Sequence, residues 1–199
     1  MSGEVIVGID EAGRGPLAGP VAVGVVALPR GLDVRKEFPG VADSKKLSEK
    51  KREEIFTLLE ARAAQGSARF RVSFSPAASI DAQGITRAVS RALTRALSDL
   101  SLDPQTTYIF LDGLLVAPRR YIKQETIVKG DDRVPIISLA SIAAKVMRDR
   151  LMKEYDTMYP LYGFARHKGY GTAAHRLAIE QNGLCPLHRR TFIRGLTQT

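Results

Sequence analysis

Residues 8–24 read GIDEAGRGPLAGPVAVG. The run leading into them, Val5-Ile6-Val7-Gly8-Ile9, is β-branched and continuous, the pattern of a strand buried on both faces. It ends in Asp10 and Glu11, and the chain then enters a turn, Ala12-Gly13-Arg14-Gly15-Pro16. Neighbouring strand residues point to opposite faces, so both carboxylates can serve one site only if the chain leaves strand geometry near Glu11. A structural turn is satisfied by Asp-Gly or Asn-Gly and has no need of a second acid. The stretch predicts a buried strand that delivers two acids to the rim of a sheet.

Working outward, Pro20 to Leu28 (PVAVGVVAL) is a second apolar run, and Ala68 to Phe74 (ARFRVSF) alternates apolar with basic residues. The three runs suggest an antiparallel meander. A helix is expected from near Ser48, with Ile55, Leu58, Leu59, Arg62 and Ala63 on one face. Helical spacing recurs from Ile85 to Leu100, and Pro104 stops the chain beyond it. Thr107 to Gly113 (TYIFLDG) is another buried strand ending in a carboxylate. A strand near Tyr121 to Val128 follows, and Lys129-Gly130-Asp131-Asp132 leads into a helix from about Pro135 to Tyr155. Strands that first run consecutively and then alternate with helices imply a mixed sheet with helices on its faces.

The chain of 199 residues is long enough for one domain that buries roughly 70% of its unfolded surface. Its single cysteine, Cys185, cannot form an internal disulfide or anchor a zinc site, and reads as a partly buried thiol. Met1-Ser2-Gly3-Glu4 lacks a basic n-region, and the apolar run after it is too short for a signal peptide or a membrane span, so a cytoplasmic protein is expected. Thirty Lys and Arg against 21 Asp and Glu leave a formal charge of +9. Such a balance is the footprint of polyanion contact, although a merely soluble basic enzyme carries it too.

Four acids stand out: Asp10, Glu11, Asp112 and Asp149. Hard divalent cations take oxygen ligands, so carboxylates from separate elements can build a two-ion site for phosphodiester chemistry. Each has a plainer alternative. Asp112 in Asp-Gly reads alone as a turn. Ser138, Ser141, Lys145 and Asp149 fall at i, i+3, i+7 and i+11 on one helical stripe, which leaves an exposed Lys145–Asp149 pair as the plainer reading. Asp131 and Asp132 follow Gly130 in an apparent loop and read first as turn residues, and Asp43 reads as a helix-entry acid.

Together these motifs resemble the prokaryotic type 2 ribonuclease H family, specifically ribonuclease HII. The resemblance rests on GIDEAGRGP (8–16), DSKKLS (43–48), LDG (111–113), KGD (129–131), ASIAAKVMRD (140–149), HKGYGT (167–172) and HRRTF (188–192), in the family's order. It implies a ribonuclease H-like α/β fold with a mixed five-stranded sheet, helices on both faces and a short helical C-terminal segment. A single catalytic domain is expected over 1–199, with 173–199 facing substrate. The implied activity is metal-dependent cleavage of the RNA strand of RNA/DNA hybrids and of DNA duplexes 5′ to single embedded ribonucleotides, leaving 3′-hydroxyl and 5′-phosphate ends. Two Mg2+ or Mn2+ ions are expected, one activating the attacking water and the other stabilising the leaving oxygen. Asp10, Glu11, Asp112 and Asp149 are implied as the metal-binding acids.

The resemblance also assigns Gly13-Arg14-Gly15 to reading the ribonucleotide's 2′-hydroxyl, a task suited to glycine's close backbone approach. Arg14 separates the chain from the sibling type HIII, whose turn lacks arginine. Tyr170 resembles the family tyrosine that packs on the deoxyribose following the ribonucleotide. Lys45, Lys46, Lys145 and Lys168 are candidate phosphate contacts, with solvated surface lysines as the alternative. Arg87, Arg91 and Arg95 read as a solvated ridge, and the three histidines receive no catalytic role. Gly84 and Thr191 depart from the frequent Asn and Ser of relatives. The resemblance suggests a monomer acting on RNA/DNA hybrid and ribonucleotide-containing duplex, with no membrane partner. No clear clamp-binding peptide ends the chain, which leaves a sliding clamp open as a partner. The rival readings are another nuclease of the same fold without the Gly-Arg-Gly turn, and a nucleic-acid-binding module that has lost catalysis.

Overall fold

The computed structural model describes residues 3–42 and 44–193. Asp43 and the last residues of the expected 173–199 segment lie outside the described residues.

The apolar run at the amino terminus forms β1 (Val5–Ala12), which pairs antiparallel with β2 (Val21–Pro29), and β2 pairs antiparallel with β3 (Arg69–Ser75). On its other edge β1 runs parallel to β4 (Thr107–Asp112), and β4 runs parallel to β5 (Gln124–Ile127). The order β3-β2-β1-β4-β5 is the expected mixed five-stranded sheet. The helices are α1 (Val34–Glu37), α2 (Glu49–Ala64), α3 (Ala77–Gln83), α4 (Ile85–Leu100), α5 (Gly130–Arg133), α6 (Pro135–Met158), α7 (Phe164–His167), α8 (Ala173–Asn182) and α9 (Arg190–Ile193). Among the described residues, no helix is long and apolar enough to cross a membrane.

The alternation of β1 divides the core. Val5, Val7 and Ile9 pack with Ala88, Leu93 and Leu97 of α4 on one face. Gly8 and Asp10 turn to the other, where α6 lies against the sheet and α2 supplies Ile55, Phe56 and Leu59. Two glycines set how closely α6 approaches. A Cβ on Gly8 would come within 2.0 Å of the Ile136 carbonyl oxygen, and one on Gly24 within 2.4 Å of the Ala140 carbonyl oxygen. These obstacles are backbone atoms and cannot swing aside, so the small residues Ala140, Ala143 and Ala144 rest almost on the strands.

Several boundaries differ from the sequence reading. β1 continues through Asp10 and Glu11 to Ala12, because β2 pairs with it throughout and Asp10 faces Gly24. β5 is shorter than expected, since the chain turns at Pro118–Tyr121 and Tyr121 is buried in the core instead of extending the strand. Helix α4 stops at Leu100 through Ser101 in a left-handed conformation (φ 48°), before Pro104 is reached. The apparent loop at Gly130 is the short helix α5, and it buries Asp131.

Gly24→Ala should lower unfolding free energy by about 1–3 kcal/mol through overpacking against α6. Urea denaturation of the two proteins checks this, and an unchanged midpoint would show that α6 can retreat at no cost.

Candidate active site

The parallel pairing of β1 and β4 ends at Ile9 and Leu111, so Asp10 and Asp112 emerge side by side beyond the last rung. Both lie on the α6 face of the sheet. Helix α5 closes over them. The Gly130 amide donates to Asp112 Oδ1 at 2.6 Å, and the Asp131 amide reaches the same oxygen at 3.4 Å. Glycine suits this position, because a Cβ would lie 2.6 Å from Ile137 Cδ1 and displace that side chain. Asp131 is thereby carried inward, and one carboxylate oxygen each from Asp10, Asp112 and Asp131 lies within 4.8 Å of the others.

Asp10 is almost wholly buried; it accepts the Glu11 amide at 2.7 Å and is hydrogen-bonded by Ser141, whose Oγ is 2.8 Å from Ser44 Oγ. Burial, then the Glu11 and Asp112 charges, pushes its carboxyl well above the usual range, against the opposing hydrogen bonds of Ser141 and the amide. Glu11 projects from the opposite face of β1, yet it borders the same opening because β4 no longer covers that edge. Burial raises Glu11, and Arg14, which reaches its Oε1 at 3.2 Å, opposes the shift. The other oxygen, Oε2, is buried without a partner. Converging carboxylates, one with an orphaned buried oxygen, fit a hard divalent cation whose charge would relieve their repulsion.

A cleft of about 220 Å³ is lined by Asp10, Glu11, Asp112, Gly13, Arg14, Gly15, Ser44, Lys45, Ser141, Lys145 and Tyr170. Most of the residues singled out from the sequence therefore meet at one opening. Asp149 is the exception among the acids. It sits eight residues beyond Ser141 on α6, about 12 Å farther along the helix axis, and its carboxylate is held by Lys145 with the Arg52 guanidinium at 4.0 Å. Asp131 takes the place expected for it beside Asp10 and Asp112. Asp131 follows Gly130, one short turn before the helix that starts at Pro135, and there the backbone caps Asp112, a contact that the local sequence does not signal.

The lysines divide. Lys45 lines the cleft and reaches Asp131 Oδ2 at 3.3 Å. Burial lowers Lys145, while the bond to Asp149 acts against that shift. Lys46 pairs with Asp132, and Lys168 donates to the Ala165 carbonyl; neither lines the cleft. Tyr170 is half-exposed at the rim, with its carbonyl accepting from Thr172 N and His175 Nδ1. Arg52, which the sequence did not single out, donates to the Ser44 and Leu47 carbonyls and fixes the loop carrying Lys45.

The sequence profile described as Ribonuclease HII matches residues 7–195. The chain is 47% identical over 193 residues to the ribonuclease HII of Geobacter metallireducens, covering 97% of this chain and 85% of that one. Its structure resembles the ribonuclease H2 of Pyrococcus horikoshii OT3 with a TM-score of 0.73 and 27% identity, covering 96% of each chain. It also resembles the ribonuclease HII of Archaeoglobus fulgidus, solved in complex with PCNA, with a TM-score of 0.72 and 26% identity over 98% of this chain and 97% of that one. The shared architecture is the ribonuclease H fold.

An acid whose folded pKa is raised binds more protons in the native than in the unfolded state between its two pKa values, so stability falls as pH rises through that window. In chelator-treated protein, Asp10→Asn should therefore melt higher than the parent at neutral pH, by roughly 2–4 °C for each kcal/mol of relieved repulsion. The gap should close as acidification protonates Asp10. Calorimetric melting across pH checks it, and a variant that melts lower at neutral pH would show that the carboxylates are not in conflict.

Proposed function

Because the chain belongs to the ribonuclease HII family, metal-dependent endoribonucleases, we propose that it nicks duplex DNA on the 5′ side of a single embedded ribonucleotide, as well as cutting the RNA strand of RNA/DNA hybrids. The observation that carries this reading is the shared cleft: the carboxylates open onto the same space as the Gly13-Arg14-Gly15 turn and Tyr170. Acids alone would fit any nuclease of this fold. Acids beside a narrow, backbone-lined turn fit one that inspects a sugar before cutting.

In this reading Asp10, Glu11, Asp112 and Asp131 hold the divalent cations, Mg2+ or Mn2+. When bound, such ions supply an activated water and charge stabilisation of the departing oxygen. The bond broken joins phosphorus to the 3′ oxygen of the preceding nucleotide, which leaves as the hydroxyl, while the water oxygen stays on the 5′-phosphate. No covalent enzyme intermediate is involved. Ser141 and the Glu11 amide orient Asp10, and the Gly130 amide orients Asp112. Lys45 and Lys145 face the phosphate backbone from the cleft wall, and Asp149 serves by holding Lys145 in place. Lys46 and Lys168 extend the basic surface beyond the cleft. Backbone of the Gly13–Gly15 turn contacts the 2′-hydroxyl, and the Tyr170 ring packs on the next deoxyribose. The chain works as one catalytic domain, with the segment from residue 173 bracing the substrate side, as a cytoplasmic monomer.

An end-labelled DNA duplex with one ribonucleotide should be nicked just 5′ of it in Mg2+, and neither an all-DNA control nor Asp10→Asn should give product. Tyr170→Ala should reduce cleavage at the isolated ribonucleotide by tenfold or more while leaving the fold intact. Cleavage of long hybrids alone would contradict the single-ribonucleotide reading, and binding without nicks would make the protein a non-catalytic binder.

A further inference from the structure

Two arginines lie completely inside the protein directly beneath the Gly13–Gly15 turn. Arg189 comes from the C-terminal segment and Arg148 from α6; they are 0% and 1% exposed. Among the described residues neither meets a carboxylate within 4.0 Å, although burying a cation without a counter-charge is costly. Their donors go to main-chain oxygens of a single stretch instead. Arg189 donates to the carbonyls of Gly13 (2.6 Å), Arg14 (2.8 Å) and Gly19 (2.9 Å). Arg148 donates to those of Pro20 (2.9 Å) and Ala18 (3.3 Å). Gly13 has a φ of 87°, and a Cβ there would strike Arg148 Nε at 2.0 Å, so this glycine serves the fit to arginine as well as the turn itself.

The direction of these bonds matters. In a planar trans peptide the carbonyl of one residue and the amide of the next point opposite ways. Drawing the Gly13 and Arg14 carbonyls down onto Arg189 therefore turns the Arg14 and Gly15 amides outward. Both residues are exposed, both line the cleft, and among the described residues neither amide donates to a protein acceptor. The same strut reaches the other side of the cleft. Leu17 and Ala18 donate to the Gly169 carbonyl beside Tyr170, Arg189 N donates to the Leu17 carbonyl, and the Arg148 guanidinium lies 6.0 Å from the Tyr170 ring centroid.

We propose that Arg189, assisted by Arg148, is the positioning residue for ribonucleotide specificity: its forked donors fix the turn so that the Arg14 and Gly15 amides are presented to the substrate sugar-phosphate. Neither arginine touches substrate. The C-terminal segment thus takes part in choosing the substrate through the underside of the turn. The inference rests on the reading of that turn given above, and it adds the requirement for a planar fork, which lysine's single ammonium cannot reproduce.

The test uses the full chain in Mg2+ and compares Arg189→Lys with Gly15→Ala. A Cβ at Gly15 meets nothing within 4 Å, so that variant folds normally and crowds only the substrate. The readout is the ratio of kcat/KM on a single-ribonucleotide duplex to kcat/KM on a long RNA/DNA hybrid, with Mn2+ affinity by calorimetry as a control for the acid cluster. Arg189→Lys should lower the ratio by about 10–100-fold, the loss usual for supporting residues, with Mn2+ affinity within twofold of the parent. Gly15→Ala should lower the ratio as well. If Gly15→Ala lowers it and Arg189→Lys does not, the positioning role is overturned while the turn keeps its function. If Gly15→Ala leaves it unchanged, the turn does not read the sugar and both conclusions fall. Should Arg189→Lys not fold, Arg148→Lys tests the same support, with at least a threefold fall in the ratio expected and an unchanged ratio overturning the inference.

Discussion

Like charges forced together at the open end of two parallel strands are the constraint on which the rest of this structure depends. Asp10, Asp112 and Asp131 would separate if their backbones were free, because burial strengthens their repulsion. Each is held by a different device. Asp10 belongs to a strand paired on both sides up to Ile9 and is bonded by Ser141 from α6. Asp112 is capped by the Gly130 amide. Asp131 is fixed by α5, which is anchored to α6 by the Ser138 hydroxyl on the Asp131 carbonyl at 2.6 Å. The close seating of α6 on Gly8 and Gly24 is thus a requirement of the acid cluster as much as of the core.

The opposite wall of the cleft is built on other principles. There the turn and the tyrosine loop are held by buried arginines and a cluster of three imidazole rings. His167 and His175 stack at 4.3 Å, His175 Nε2 lies 3.1 Å from His188 Nε2, and His167 Nδ1 accepts from the Gly169 amide. Burial pulls His175 down to about 4, so it is neutral at physiological pH and serves as a hydrogen-bonding spacer. The carboxylates therefore face, across one cleft, a turn supported from below by buried arginines.

Much of this could be read in the sequence wherever a residue's neighbours determine its environment. The β1-β2-β3 meander, the apolar face of α4 and the long α6 follow from periodicity, and Asp10 and Asp112 stand out because each ends a buried apolar run. The Gly-Arg-Gly turn was legible through its arginine. Asp131 was not, because Gly-Asp-Asp between a strand and a proline is ordinary turn composition, and its burial depends on Asp112 arriving from another strand. Asp149 differs for the converse reason, its carboxylate being engaged by Lys145 and lying outside the group formed by Asp10, Asp112 and Asp131. It shares a helical stripe with Ser141, but a stripe tells which face a residue occupies and says nothing of how far along the helix the site extends. Arg148 and Arg189 could not be placed from charge alone, since their partners are carbonyls far away in sequence.

The most direct test of this account is Mn2+ binding to the substrate-free protein, measured by titration calorimetry for the parent, Asp131→Asn and Asp149→Asn. Loss of a carboxylate that holds the ion should weaken binding by tenfold or more in Asp131→Asn, while Asp149→Asn, whose carboxylate is engaged by Lys145 one turn before it on α6 and away from the other acids, stays within about threefold of the parent. The reverse order, with Asp149→Asn abolishing binding and Asp131→Asn sparing it, would contradict the carboxylate cluster as the metal centre.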